Sequence, residues 1–132
     1  MADDGRGVMA PTVLVVDDIG MMRRVIREAL EGAGVKIVGE APNGREAVRL
    51  YNRLRPQIVI MDITMPVMNG IEALRRIKLL NPGAAVIMCS SMSQQKYIMK
   101  SIQLGARDFI VKPFKTERII SAVKKASGSD GY

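Results

Sequence analysis

Apolar and polar positions come in alternating blocks along this chain. Five short apolar runs, at about 12–17, 36–40, 57–62, 84–89 and 107–111, have the length of strands. They show little period-two alternation, which predicts strands covered on both faces. Helical spacing takes over between them, in segments of about 20–32, 44–54, 70–80, 94–104 and 115–126. Val25, Ile26, Ala29 and Leu30 recur at that spacing, as do Ala47, Val48, Tyr51 and Leu54. Ile71, Leu74, Ile77 and Lys78 follow with one polar side, and Ile119, Ile120 and Val123 mark the last helix. Asn43-Gly44 and Asn69-Gly70 stand where N-caps belong. Gly32, Gly34, Asn81-Pro82-Gly83 and Gly105 stand where helices stop.

Five βα units predict a doubly wound α/β fold, a five-stranded parallel sheet with five helices on its two faces. The strand order 2-1-3-4-5 is the known order of flavodoxin-like sheets and is adopted on that ground. The expected organisation is a flexible N-terminal tail at 1–10, one domain at 11–126 and a flexible C-terminal tail at 127–132.

Composition narrows the chemistry. The chain of 132 residues contains no histidine, which removes the commonest general base and transition-metal ligand. One cysteine, Cys89, excludes an internal disulfide, and its apolar neighbours Val86, Ile87 and Met88 suggest a buried hydrophobe. No apolar stretch approaches the roughly 20 residues of a membrane span, and the N-terminus lacks an apolar signal core, so a cytoplasmic location is the default expectation. The net charge of +7 is spread over most helices, with a row at Arg45, Arg49 and Arg53. A solvated face, an acidic protein partner and nucleic acid all remain open for that row, although no aromatic residues interleave with it.

The candidate chemistry lies at the strand ends. Val13-Leu14-Val15-Val16 stops at Asp17-Asp18, and Ile58-Val59-Ile60-Met61 stops at Asp62. Phe109-Ile110-Val111 stops at Lys112-Pro113, and Ser90 ends the fourth strand. In an open parallel sheet the carboxyl ends share one rim, where ligands bind. Three carboxylates there repel one another unless a cation joins them. All-oxygen ligation suits a hard ion, Mg²⁺ first, with Mn²⁺ or Ca²⁺ as alternatives. Asp18 and Asp62 are the expected direct ligands, with the backbone carbonyl of Thr64 as a third. Asp17 acts through water or by orienting the others. One Asp62 oxygen would attack phosphorus, with Lys112 and Ser90 neutralising the transferring group.

These residues resemble the receiver domains of two-component response regulators. The motifs are Asp17-Asp18, Asp62 followed by Met65-Pro66-Val67-Met68-Asn69-Gly70, Ser90, and Lys112-Pro113-Phe114. The segment Cys89 to Gln95 is similar to that of the stand-alone chemotaxis members. The resemblance covers about residues 11–126. It implies that Asp62 is the phosphoacceptor, Asp17 and Asp18 the acidic metal pair, Ser90 the switch hydroxyl and Lys112 the phosphate-binding lysine. It also implies that Phe109 is the aromatic switch and that the Lys112-Pro113 bond is cis. Some chemotaxis members carry tyrosine where this chain has Phe109. Thr64 and Met92 fall at positions that influence phosphate lifetime in the family.

The resemblance implies a signalling module rather than an enzyme, one that catalyses only its own phosphorylation and dephosphorylation. A sensor histidine kinase would supply the phosphoryl group, a flagellar motor switch protein would receive the signal, and a phosphatase is a further possible partner. A monomer without a DNA-binding domain or membrane contact is expected. Since no segment past 126 is long enough for an output domain, the signal should leave through the surface around Met92, Ile98, Met99, Phe109 and Val111. The rivals are a single-domain phosphorelay intermediate and an aspartate-nucleophile phosphatase. The latter normally needs a second Asp where this chain has Thr64, and a cap domain.

Overall fold

The computed structural model describes residues 10–128. The order is β1 (Thr12–Val16), α1 (Gly20–Glu31), β2 (Lys36–Ala41), α2 (Gly44–Leu54), β3 (Ile58–Met61), α3 (Gly70–Leu80), β4 (Ala85–Ser90), α4 (Gln95–Gln103), β5 (Asp108–Val111) and α5 (Thr116–Ala126). All pairings are parallel and the strand order is β2-β1-β3-β4-β5. The fold class and element order agree with the sequence reading, with ends differing by a residue or two. Asp17 and Asp62 lie just past their strands rather than inside them. The tail expected at 1–10 falls almost wholly outside the described residues, as does 129–132 of the C-terminal one.

Successive strand residues point to opposite faces, and this divides the core in two. Leu14, Val16, Val59, Met61, Val86 and Met88 pack with Ala47 and Tyr51 of α2 and with Ala73, Leu74 and Ile77 of α3. Val13, Val15, Ile58, Ile60, Ile87 and Cys89 pack with Ile26 and Leu30 of α1 and with Ile119, Ala122 and Val123 of α5. The three central strands are buried almost throughout. The edges are not: β2 is mostly half-buried, and Val111 of β5 is exposed. Burial of every strand on both sides therefore holds only for the middle of the sheet.

Local chemistry ends the elements where expected. The Asn43 and Asn69 side chains accept from the Glu46 and Glu72 amides at the starts of α2 and α3. One reading of a helix face needs correction. Val25 of α1 is 45% exposed, so the core stripe there is Ile26 and Leu30. Lys78, in the periodic set of α3, is half-buried, and its ammonium donates to the Ala84 carbonyl at 3.0 Å.

Candidate functional site

The backbone carries the strand ladder one residue past β1 and β3. The Asp17 amide donates to Ala41 O at 3.1 Å, and the Asp62 amide donates to Val16 O at 3.0 Å. Both carboxylates are thereby delivered to one rim. Asp17 and Asp62 are buried while Asp18 is exposed. One carboxylate oxygen from each of the three lies within 4.8 Å of the others. Gly70 closes the site from behind. Its amide bonds Ile63 O at 2.8 Å, and a Cβ there would stand 1.8 Å from the Asp62 carbonyl oxygen.

Lys112 reaches across from β5. Its Nζ lies 2.5 Å from Asp17 Oδ2 and 3.6 Å from Asp62 Oδ2. The ammonium therefore bridges two carboxylates on adjacent strands. The other Asp17 oxygen accepts from the Ile19 amide at 2.9 Å, so Asp17 is held from both sides. Asp62 Oδ1 accepts from the Ile63 amide at 2.8 Å. Ser90 is fully buried at the end of β4, and its hydroxyl oxygen accepts from the Met92 amide at 3.0 Å. The Lys112-Pro113 bond is cis.

The electrostatics follow. Burial pushes the Asp62 carboxyl above its ordinary value; the Lys112 ammonium opposes this and Asp17 adds to it. Hydrogen bonds from the Ile63 amide and the Ser90 hydroxyl also oppose it, without cancelling it. For Lys112, burial disfavours the charge, but the Asp17 hydrogen bond and the fields of Asp62 and Asp17 outweigh it and raise the pKa. Lys112 is thus a fixed positive charge beside an unusually basic carboxylate. Burial pushes the Cys89 thiol up to about 12, so it offers no thiolate to the site.

The donor set fits Mg²⁺. An octahedral ion with bonds of about 2.1 Å places ligand oxygens roughly 3 to 4 Å apart, a spacing this carboxylate cluster can satisfy. The donors are all oxygen, with nothing that selects Mn²⁺. The Lys112 contact gives Asp17 a positioning role beside its place in the acidic cluster.

The match to known proteins is extensive. Residues 13–124 match the family described as response regulator receiver domain.

The chain belongs to the response regulator receiver family.

This receiver is 49% identical over 119 residues to the chemotaxis protein CheY of Thermotoga maritima, covering 90% of this chain and 99% of that one. It is 54% identical over 116 residues to Protein CcdB of Bacillus subtilis, covering 88% and 97%. Among solved structures it is similar to a chain in the CheX-CheY-BeF3-Mg complex of Borrelia burgdorferi. That match has a TM-score of 0.87 and 32% identity, covering 92% of this chain and 91% of that one. Family membership makes the receiver a signalling module rather than a turnover enzyme. Among the described residues no helix is long and apolar enough to cross a membrane, and every element belongs to the receiver sheet and its helices.

The structure brings together Asp17, Asp18, Asp62, Ser90 and Lys112. Thr64 lies two residues past Asp62 and is exposed. Phe109 is part-buried and packs against the core face that Met92 and Tyr97 also cover. Met99 and Val111 are exposed, whereas Met92 and Ile98 are half-buried. Two supports escaped the sequence reading. Arg23 donates to the Asp17 carbonyl at 2.6 Å and to Glu40 at 3.1 Å, and Arg27 also bonds Glu40. Arg23 and Arg27, four apart on α1, together with a lone acid within β2 were the available signal. The second is Ile102, exposed on α4 beside the expected output surface.

Proposed function

We infer that this receiver is a phosphorylation-activated chemotaxis regulator that accepts a phosphoryl group on Asp62 and changes its binding to a flagellar motor switch component. The observation that carries the reading is the meeting of Asp17, Asp18 and Asp62 within reach of one ion, with the Lys112 ammonium across them. The relatives called CheY support the chemotaxis part.

In this reading a sensor kinase's phosphohistidine is the donor. An Asp62 oxygen attacks phosphorus, the phosphorus–nitrogen bond breaks, the imidazole leaves and takes a proton from solvent, and an aspartyl phosphate remains. Asp18, Asp62 and the Thr64 carbonyl would hold Mg²⁺, which would supply charge neutralisation to the transferring group. Lys112 contributes a second positive charge, and the Ser90 hydroxyl a hydrogen bond. Asp17 orients Lys112.

Output rests on a shift between two arrangements. Ser90 is buried next to Asp62, and Phe109 is part-buried against the core cluster that Met92 and Tyr97 also cover; a phosphorylated Asp62 would draw the Ser90 hydroxyl inward and let Phe109 turn toward the interior. Phosphate would stabilise that second arrangement, and a switch-protein segment would read Met92, Ile98, Met99, Phe109 and Val111. Moving the population from mostly off to mostly on requires about 5 kcal/mol of differential binding. The protein would work as a cytoplasmic monomer.

The test is incubation with Mg²⁺ and acetyl phosphate, followed by intact mass. One added phosphoryl group is expected, absent in Asp62→Asn and absent with chelator. Label retained in Asp62→Asn would overturn the assignment. Phosphate-dependent binding to a motor-switch peptide separates the motor output from a relay, which would instead return phosphate to a histidine.

A further inference from the structure

The basic charge is unevenly paired across the surface. Arg23 and Arg27 bond Glu40, Arg24 bonds Glu28, and Arg118 bonds Asp108. The face formed by α2 and α3 sets Arg45, Arg49, Arg53, Arg75 and Arg76 against only two acids, Glu46 and Glu72. Glu46 meets Arg49 alone, and one carboxylate, Glu72, serves both Arg75 and Arg76. Arg45 and Arg53 form no ion pair among the described residues. Arg45, Arg49 and Arg53 are exposed and recur every fourth residue, a rise of about 6 Å per step.

A groove of about 550 Å³ opens on this face, lined by Arg45, Arg49 and Arg76 together with Val48, Val67 and Met68. Val67 is 73% exposed at φ +69°, a conformation that β-branched residues rarely adopt. Among the described residues, Val67 belongs to neither core cluster. The platform beneath it is tight. The Gly44 amide bonds the Met68 carbonyl at 2.8 Å, and a Cβ on Gly44 would stand 2.5 Å from that oxygen. A fixed apolar knob among guanidiniums is suited to protein recognition.

We propose that the α2–α3 face docks an acidic amphipathic helix of a partner protein. Its carboxylates, one turn apart, match the Arg45, Arg49 and Arg53 row, and its apolar side chain covers Val67. A nucleic acid fits less well, because Glu46 and Glu72 sit within the patch and no aromatic side chain lines the groove. This surface is separate from the Met99 and Val111 face.

The test uses a helical peptide with Glu at i, i+4 and i+8 and a neighbouring Leu, titrated into ¹⁵N-labelled protein at about 0.15 M salt. Amide shifts confined to residues 44–54 and 66–76 are expected. Arg45→Glu weakens binding about tenfold or more, the loss of a close charge pair. Val67→Gly weakens it about tenfold by removing the apolar contact. Val67→Gly keeps the fold, because glycine accepts positive φ without strain. Shifts elsewhere, no saturable binding, or affinity indifferent to Val67→Gly would overturn the proposal. Tighter, steeply salt-dependent binding of a single-stranded oligonucleotide would do the same.

Discussion

The rim above β1 and β3 and the face around α4 and β5 are neighbours built on opposite rules. At the rim Asp17, Asp62 and Ser90 are buried, and each is held: Asp17 by Lys112 and the Ile19 amide, Asp62 by the Ile63 amide, Ser90 by the Met92 amide. On the other face apolar groups are exposed, with Met99 at 51%, Ile102 at 53% and Val111 at 43%. Helix α4 buries only Ser101 among its own residues, whereas α3 buries four. One region is held by the chain's own contacts, and the other leaves apolar side chains uncovered among the described residues. A rigid chemical site beside a lightly anchored helix is the arrangement a switch needs, since mobile elements come from the weakly packed end of a fold.

The comparison predicts that changes at the rim unfold the protein and changes on the α4 face do not. The largest expected effect is Gly70→Ala. Its methyl group would meet the Asp62 carbonyl at 1.8 Å, inside the tightest turn of the site. A loss of about 3 kcal/mol or more is expected, which lowers the urea midpoint by roughly 1–2 M. An unchanged midpoint would mean that the rim is looser than its contacts indicate. Lys112→Ala comes next. It leaves Asp17 buried without its cation and Asp62 without its nearest positive charge, at a cost of about 2–3 kcal/mol with chelator present. Mg²⁺ should restore part of that loss, because it neutralises the same carboxylates. Phosphorylation should no longer change partner binding. Equal melting curves with and without Mg²⁺ would remove the cation from the account.

The rim was legible in sequence for the same reason that it is rigid. A parallel sheet places the ends of its central strands side by side, so apolar runs ending in Asp17, Asp62, Ser90 and Lys112 already specify neighbours. Lys112 spans the gap because its stem is long, which residue type alone suggests. The buttress of Arg23 and Glu40 was harder to read. It joins a helix to a strand across the sheet edge, and its pairing depends on a register that is shifted between Val13 and Leu14. Val25 misled for a related reason. Helical spacing defines a stripe but not its width, and α1 buries only Ile26 and Leu30. Ile102 carries no pattern that separates an exposed contact residue from a core one.

On the α4 face the expected signature is reversed. Met99→Ala and Ile102→Ser remove side chains that touch little of the chain. Each should change stability by less than about 0.5 kcal/mol. Binding to the phosphorylation-dependent partner should weaken about tenfold, as for a central apolar contact. A stability loss comparable to that of Gly70→Ala would place these residues in the core and erase the contrast between the two regions.

Asp108 and Arg118 form the seam between the regions and give the smallest effect. The Arg118 Nη1 and Nη2 each donate to the Asp108 carboxylate at 2.9 Å, and Nη2 also reaches the Phe109 carbonyl, so α5 is pinned to β5 beside Phe109. The Arg118 hydrogen bonds hold the Asp108 carboxyl below its ordinary value despite burial, with help from the Phe109 amide. A depressed folded-state pKa stabilises the protein above the unfolded value of about 4, and that contribution is lost as pH falls through the folded-state value. The pair is partly exposed, so about 0.5 kcal/mol is the expected scale. Asp108→Asn keeps the shape and one acceptor but loses the charge. Its deficit in urea unfolding should be full between pH 5 and 7, shrink below about pH 4 and narrow further in 1 M salt. A deficit that persists undiminished in acid would mean that the pair acts through shape, and the seam would then belong with the packed interior rather than with the electrostatic rim.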